Sequence, residues 1–198
     1  MSSLFYSAVA GLYDTLAGRY IQSRLISGLS LLGDIAGQRV LDVGTGTGIV
    51  AASLAESGAI VTGVDLSEPM LRRARSKRIP GATFLRMDAK ELAFPDASFH
   101  VSTISMVLHE MSPSDRKRIL SEMIRVTQKS LLVIEFAARP SGVIIPLFLS
   151  LLEIGHSAYY RDFIRRGPIS VISENGLVIA RTLQSGLLGF YLCQPERR

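Results

Sequence analysis

Three alternating glycines follow a short apolar run at residues 40–48, which reads VLDVGTGTG. Glycine accepts a positive φ and lets a ligand approach the backbone with no Cβ in the way. A helix is predicted from about residue 49 to 57, and its N-terminus directs unpaired N–H groups and the positive end of its dipole toward the same turn. This segment therefore predicts a binding site for a nucleotide-like ligand that carries a carboxylate.

Two acidic residues follow, each after a predicted strand. Asp65 comes about twenty residues after the glycine turn, the distance at which a doubly wound fold presents an acid to a ribose. Ser67 is predicted to cap the next helix, with Pro69 in its first turn. Asp88 follows a third apolar strand. Either acid alone could simply cap a helix, but their order and spacing favour a cofactor site.

Other nucleotide-binding patterns fit this chain poorly. The dinucleotide fingerprint needs its third glycine where Ile49 stands, and no Gly-Lys-Ser/Thr follows the turn as a P-loop requires. A nicotinamide-dependent oxidoreductase is therefore disfavoured as an alternative function.

The three segments in this order resemble the class I S-adenosylmethionine-dependent methyltransferases. The family's D-x-G-x-G-x-G motif is matched by Asp42 and the three glycines, and its second motif by residues 65–74. Residues 84–99 are similar to the ubiquinone/menaquinone-biosynthesis (type 11) group of small-molecule methyltransferases. The chain departs from that group at His100, where Asp is usual.

The resemblance implies an α/β fold with a doubly wound, mostly parallel seven-stranded sheet and a terminal antiparallel hairpin. It implies S-adenosylmethionine as cofactor and methyl transfer to a small, hydrophobic acceptor. Asp65 would accept from both ribose hydroxyls, Asp88 from the adenine amino group, and Ala89 would donate its N–H to a ring nitrogen. The expected cofactor-binding residues are Asp42, Gly44, Thr45, Gly46, Gly48, Asp65, Leu66, Met70, Asp88, Ala89 and Ser105.

His109 is the candidate catalytic base, because it follows the predicted fourth strand at the carboxyl edge where open α/β sheets bind ligands. The methyl group of a sulfonium is already activated, so a base helps only when the acceptor must lose a proton. Packing in the loop with a bond to a backbone carbonyl is an equally supported interpretation of His109. Glu153 and His156 have the spacing of half a metal site, but without a second copy no metal is predicted.

Helices are predicted within residues 2–35, and strands alternate with helices from 40 to 136. Ser112 is predicted to cap a helix with Pro113 at its first position. Residues 131–136 are predicted as a fully buried fifth strand. The chain then ends in a helix near 168–175 and two strands at 177–183 and 187–193. The apolar stripe of the first helices is formed by Val9, Leu12, Leu16, Tyr20, Leu25, Ile26 and Leu29.

Residues 141–167 form an unusually apolar insertion that is interrupted by Pro146 and too short to span a bilayer. We expect a helical lid over the acceptor, with Tyr159, Tyr160 and Arg161 as candidate lining residues. A core helix or a dimer interface remains open from the sequence.

The 198 residues, 47% of them hydrophobic, predict one domain with an N-terminal helical cap at 1–35. Most of the concentrated positive charge lies in residues 72–78 and is expected at a solvated helix end, so RNA methylation is a weaker alternative. A non-catalytic partner with the same fold is a further alternative. One cysteine and no signal-peptide pattern predict a cytoplasmic protein. Peripheral membrane contact and a homodimer remain open.

Overall fold

The computed structural model describes residues 18–137 and 158–196, which contain a seven-stranded sheet with helices on both faces. The strands are β1 Arg39–Val43, β2 Ile60–Asp65, β3 Ala82–Arg86, β4 Phe99–Ser105, β5 Thr127–Phe136, β6 Leu177–Ser185 and β7 Leu188–Pro195. The helices are α1 Gly18–Leu29, α2 Ile49–Glu56, α3 Glu68–Ser76, α4 Pro113–Val126, α5 Ala158–Arg166 and α6 Pro168–Ser173.

The sheet has the strand order β3-β2-β1-β4-β5-β7-β6. The first five strands in this order are parallel, with Val40 of β1 paired to Val61 of β2 on one side and to Val101 of β4 on the other. The connections change direction between β1 and β4. In open α/β sheets, a crevice outside the carboxyl ends of the strands at such a point is where ligands bind.

β6 and β7 form the predicted terminal hairpin, and β7 is antiparallel to β5, with Leu131 opposite Cys193. The turn lies at residues 186–187, so β6 is two residues longer than predicted. β5 is also longer than predicted, since it begins at Thr127. Gln128 and Lys129 are exposed and Phe136 is half-buried, so the fully buried run is residues 131–135.

Two hydrophobic clusters cover the sheet. Leu25 of α1, Leu54 of α2 and Leu71 of α3 pack with Val40 in the first cluster. The second cluster includes Leu41 together with residues of α4, α5 and α6. Neighbouring residues of β1 enter different clusters because successive side chains of a strand point to opposite faces.

The predicted N-terminal helical region is a helix at Gly18–Leu29, and residues 1–17 lie outside the described residues. Leu25 and Leu29 are buried, one helical turn apart. Ile26 is 79% exposed, so its assignment to the apolar stripe was wrong. A residue one position after Leu25 is rotated by about 100° and leaves the buried face.

Residues 138–157, which hold most of the proposed lid, lie outside the described residues, and the described chain resumes at α5. Within residues 18–137 and 158–196, none of the helices combines the length and apolar content that crossing a bilayer requires.

Candidate functional site

The glycine turn between β1 and α2 needs its glycines for two separate reasons. Gly44, Gly46 and Gly48 have φ values of 65°, 55° and 80°, where other residues are strained. A Cβ on Gly44 would lie 2.4 Å from Cγ2 of Val107. The turn therefore combines left-handed backbone with a close approach between the ends of β1 and β4.

Asp65, the last residue of β2, holds this turn in place. One carboxylate oxygen accepts the Gly46 N–H at 2.9 Å and the other accepts the Ser67 N–H at 2.8 Å. A carboxylate has about four acceptor positions, so two remain for other donors. The side chain is half-buried and within reach of solvent. The expected ribose contact stays a prediction, and anchoring of the glycine turn is a role that the sequence analysis missed.

Asp42 is buried beneath the turn. Its Oδ1 accepts a hydrogen bond of 2.7 Å from the Thr103 hydroxyl. Its Oδ2 and the Thr45 hydroxyl are buried and lie near each other, but neither makes a hydrogen bond of normal length among the described residues. Burial raises the pKa of Asp42 to about 6. Both residues line the cavity described next, where a polar ligand or a water molecule can complete their hydrogen bonds.

One cavity at the carboxyl ends of β1 and β4 joins several of the expected cofactor residues. The residues that line the cavity are Asp42, Gly44, Thr45, Gly46, Thr47, Ile49, Val50 and Ser105. Four expected residues of the glycine motif thus share a cavity with Ser105 of the neighbouring strand.

Two further expected cofactor residues follow Asp65 in the chain. The side chain of Leu66 is 56% exposed, whereas that of Met70 is only 8% exposed.

Asp88 follows β3, and its carboxylate binds groups of the nearby Lys90. Its Oδ1 accepts the Lys90 N–H at 2.9 Å, and its Oδ2 is 3.8 Å from the Lys90 ammonium. That ammonium also lies 3.5 Å from Asp115 of α4. Asp88 and Ala89 are both half-buried. The predicted adenine contact would share the Asp88 carboxylate with Lys90.

His109 lies in a short 3-10 turn, Leu108–Glu110, that follows β4. The imidazole is buried, and its Nδ1 lies 2.8 Å from Oε2 of Glu135. Glu135 Oε1 accepts the N–H of Leu108 at 2.8 Å and, more weakly, that of His109 at 3.4 Å. The ring packs in the loop after β4, as the alternative interpretation expected, but the partner of Nδ1 is the Glu135 carboxylate and not a backbone carbonyl. The role of base stays a prediction.

Glu135 is the residue that the sequence analysis overlooked. It is 1% exposed and lies near the end of β5, after the fully buried residues 131–134. A single acid in an otherwise apolar strand was the available signal, because a buried carboxylate needs partners. The fixed donors of the 108–109 turn supply them.

The environment of His109 makes its imidazole more basic. Burial lowers the pKa of His109, but the charge and the hydrogen bond of Glu135 outweigh this effect, so the pKa is raised above its ordinary value.

Three aromatic rings surround the imidazole, with centroid separations of 5.4 Å to Phe136, 5.6 Å to Tyr160 and 6.2 Å to Phe163.

Arg116 of α4 fastens α5 beside this turn. The guanidinium is 1% exposed and donates to the carbonyls of Leu108 and Tyr159 at 2.8 and 2.9 Å. It also donates to Asp162 at 3.1 Å and lies 5.1 Å from the centre of the Phe163 ring. α5 is thereby held over His109.

Among the predicted acceptor-lining residues, only Tyr160 contacts His109, whereas Tyr159 and Arg161 are exposed. Glu153 and His156 lie outside the described residues. Within the described part of the chain, no group of three or more His, Cys, Asp or Glu side chains is placed to hold a metal ion.

The two predicted helix caps differ. Ser112 Oγ accepts the Asp115 N–H at 3.1 Å, which confirms the prediction. Ser67 occupies the N-cap position of α3, but its hydroxyl makes no capping bond, so that part of the prediction was wrong. The Ser67 Oγ is buried and without a partner among the described residues, while its N–H is bound to Asp65.

The strand order, the antiparallel β7 and the glycine turn at the switch point together define the Rossmann-like methyltransferase fold. Solved methyltransferase structures share this fold. A protein from Pyrococcus horikoshii has a TM-score of 0.73 at 21% identity and covers 92% of both chains. Magnesium protoporphyrin IX methyltransferase from Synechocystis, solved with bound SAH, has a TM-score of 0.63 at 22% identity and covers 90% of this chain and 84% of its own.

The sequence is also similar to known methyltransferases. Residues 40–130 match a family model described as a methyltransferase domain. A demethylmenaquinone methyltransferase from Beutenbergia cavernae is 37% identical over 67% of this chain and 59% of its own length. A phosphatidylethanolamine N-methyltransferase from Cereibacter sphaeroides is 35% identical over 64% of this chain and 65% of its own.

Residues 40–130 match a methyltransferase domain, and the resemblance to the class I S-adenosylmethionine-dependent methyltransferases that the three ordered motifs predicted is confirmed. The chain spans 59% of the Beutenbergia relative and 55% of a similar demethylmenaquinone methyltransferase from Clavibacter sepedonicus.

Proposed function

We propose that this chain binds S-adenosylmethionine at the carboxyl ends of β1, β2 and β4 and transfers its methyl group to a small hydrophobic acceptor. The observation that carries the proposal is the cavity at the carboxyl ends of β1 and β4, where the glycine turn, the buried Asp42 and Ser105 come together. The cofactor offers an ammonium, a carboxylate and ribose hydroxyls, which are the groups that such a site can bind.

When bound, the cofactor supplies a methyl group on a sulfonium, which needs alignment and exclusion of water more than it needs bond polarisation. The residues of this chain have matching tasks. The glycine turn and Asp65 would hold the cofactor, and Asp88 would select its base. The aromatic rings around His109 would exclude water from the methyl end.

The relatives support a hydrophobic acceptor. Demethylmenaquinone and phosphatidylethanolamine, which appear in their names, are both lipids with a small reactive group. Tyr160 and Phe163 of α5 form an apolar wall beside His109. We propose that residues 141–167, of which α5 is the described part, cover the acceptor.

The first test is calorimetry with S-adenosylmethionine and its demethylated product, with NADH as a ligand of the competing class. We expect micromolar affinity for the first two and none for NADH. The Asp65→Ala variant should bind more weakly, and Glu91→Ala, which removes an exposed acid near the site, should bind normally. No heat for wild type would refute the cofactor assignment.

The second test is transfer of a tritiated methyl group. Demethylmenaquinone, in oxidised and reduced forms, and phosphatidylethanolamine are offered in detergent micelles, with free ethanolamine as the control without a lipid. Product from either lipid but not from ethanolamine is the expected result. Cofactor binding without transfer to either lipid would favour the non-catalytic partner.

A further inference from the structure

This inference rests on the proposed function and concerns the acceptor side of the same site. We propose that Glu135 is a positioning residue that fixes His109 as its Nδ1–H tautomer, so that the Nε2 lone pair is the base that takes a proton from the methyl acceptor. The pair joins β5 to the turn after β4, and no family motif identified in the sequence includes Glu135.

The hydrogen bonds of Glu135 determine the tautomer. Its Oε1 is turned toward the Leu108 N–H at 2.8 Å, which fixes the carboxylate, and its Oε2 lies 2.8 Å from His109 Nδ1. An ionised carboxylate only accepts hydrogen bonds, so Nδ1 must carry the proton. In the neutral imidazole this leaves Nε2 with a lone pair.

The pair lies beside the cofactor cavity. Ile134, which precedes Glu135, pairs with Ser105 of β4, and Ser105 lines the cavity together with Asp42 and Gly44. The Glu135 side chain points to the opposite face of the sheet, toward α5, so the pair reaches the cavity around the carboxyl edge of the strands. Val107, two residues before His109, packs against Gly44 of the glycine turn. His109 therefore follows four residues after Ser105, which forms part of the cavity wall.

The other charged groups around the pair leave Nε2 as the site of proton uptake. Glu110 of the same turn is 3.9 Å from Nε2, too far for a hydrogen bond and near enough to favour the imidazolium that forms. Arg116 of α4 opposes that charge, but its donors are directed to Leu108, Tyr159 and Asp162. Burial and the charge of Glu135 raise the pKa of Tyr191 on β7 to about 12, so that phenol stays neutral.

A base at Nε2 of His109 favours acceptors that lose a proton during methyl transfer. A base is useful only where the attacking atom carries a proton that must leave, as in an acidic hydroxyl, an acidic carbon or a protonated amine. The attacking atom forms a bond to the methyl carbon, the carbon–sulfur bond breaks, and its electron pair goes to sulfur. The proton goes from the acceptor to Nε2 of His109 and later to water. A thioether acceptor would not need this group.

The first experiment needs no substitution and no acceptor. The ring signals of His109 are followed by nitrogen-edited NMR through a pH titration of wild type, saturated either with S-adenosylmethionine or with S-adenosylhomocysteine. The two ligands differ by a methyl group and a positive charge. If His109 faces the methyl end, its pKa should be lower with the sulfonium by about one unit, since two cations several ångströms apart repel each other. His100, half-buried at the amino end of β4 and far from the carboxyl edge, is the internal control, and its signals should be the same with either ligand.

The second experiment tests Glu135. Above the pKa of His109, wild type should show the Nδ1–H tautomer. In Glu135→Gln, the amide oxygen can keep the Leu108 N–H while the amide NH₂ donates to Nδ1, which forces the Nε2–H tautomer. Glu110→Gln is the matched control, because it removes a carboxylate from the same turn without touching Nδ1, and it should leave the tautomer unchanged.

Each outcome separates this inference from the proposed function. Cofactor binding with equal His109 pKa values for the two ligands overturns the base assignment but leaves methyl transfer possible. An Nε2–H tautomer in wild type overturns the role of Glu135, and this measurement holds even if Glu135→Gln fails to fold. Absence of cofactor binding refutes the proposed function itself. A lower pKa with the sulfonium, together with the Nδ1–H tautomer, supports the proposal.

Discussion

Replacing Asp65 with alanine should damage the empty protein and cofactor binding separately. The carboxylate accepts two backbone N–H groups, at 2.9 and 2.8 Å, and joins the glycine turn to the start of α3. Hydrogen bonds to a charged group contribute about 1.5–3 kcal/mol each, and the lower end applies here because the half-buried N–H groups can be rehydrated. We therefore expect the free energy of unfolding without cofactor to fall by about 2–3 kcal/mol, as measured by urea denaturation.

The affinity for S-adenosylmethionine should fall as well, by about 1.5–3 kcal/mol, or roughly 10-fold to 150-fold, because the ribose loses its acceptor and the turn loses its anchor. Asp34→Ala is the matched control, since Asp34 also accepts the N–H two residues later, at 3.0 Å, but lies at an exposed loop. That variant should keep its affinity. Unchanged stability in Asp65→Ala would refute the anchoring role, and unchanged affinity by calorimetry would refute the ribose assignment.

Three further predictions follow from buried and local contacts. The folded-state pKa of Asp42 is raised to about 6, so its contribution to stability is greatest at low pH and is lost as pH rises through about 6. Asp42→Asn should remove this dependence. The free energy of unfolding of wild type minus that of the variant, measured by urea denaturation, should therefore be about 2 kcal/mol larger at pH 4.5 than at pH 7.5. The same value at both pH values would contradict the assignment. Ser112→Ala should cost about 1 kcal/mol because it removes a capping bond, whereas Ser67→Ala, whose hydroxyl makes none, should cost less than about 0.5 kcal/mol in thermal or urea unfolding. Asp88→Ala should weaken adenine-containing ligands more than analogues that lack the exocyclic amine, and equal losses in calorimetry would show that Asp88 serves only to bind Lys90.

The elements with local causes could be predicted from sequence. The glycine turn, the capping of α4 by Ser112 and the terminal hairpin each depend on residues within a few positions of one another. The carboxyl-edge site follows from strand order, which the alternation of strands and helices largely determines. Asp42 and Ser105 were therefore expected at one site before their cavity was known.

The contacts that could not be predicted join residues far apart in the chain. Glu135 meets His109 across 26 residues, and Arg116 meets Asp162 across 46. The local sequence pattern of β5 does not indicate which hydrogen-bond donors Glu135 contacts. Ser67 shows a different limit. Its N-cap position was predicted correctly, but its backbone N–H donates to Asp65 and its hydroxyl makes no hydrogen bond among the described residues.

The buried guanidinium of Arg116 has a consequence for how α5 can detach. Of its three acceptors, the Leu108 carbonyl lies in the body of the protein and the Tyr159 carbonyl and Asp162 carboxylate lie on α5, so partial fraying of the helix would leave a buried cation without one or both of the latter. We therefore expect α5 to open as one cooperative unit. Native-state hydrogen exchange should then show the α5 amides sharing one opening free energy with the 108–110 turn, with no gradient along the helix.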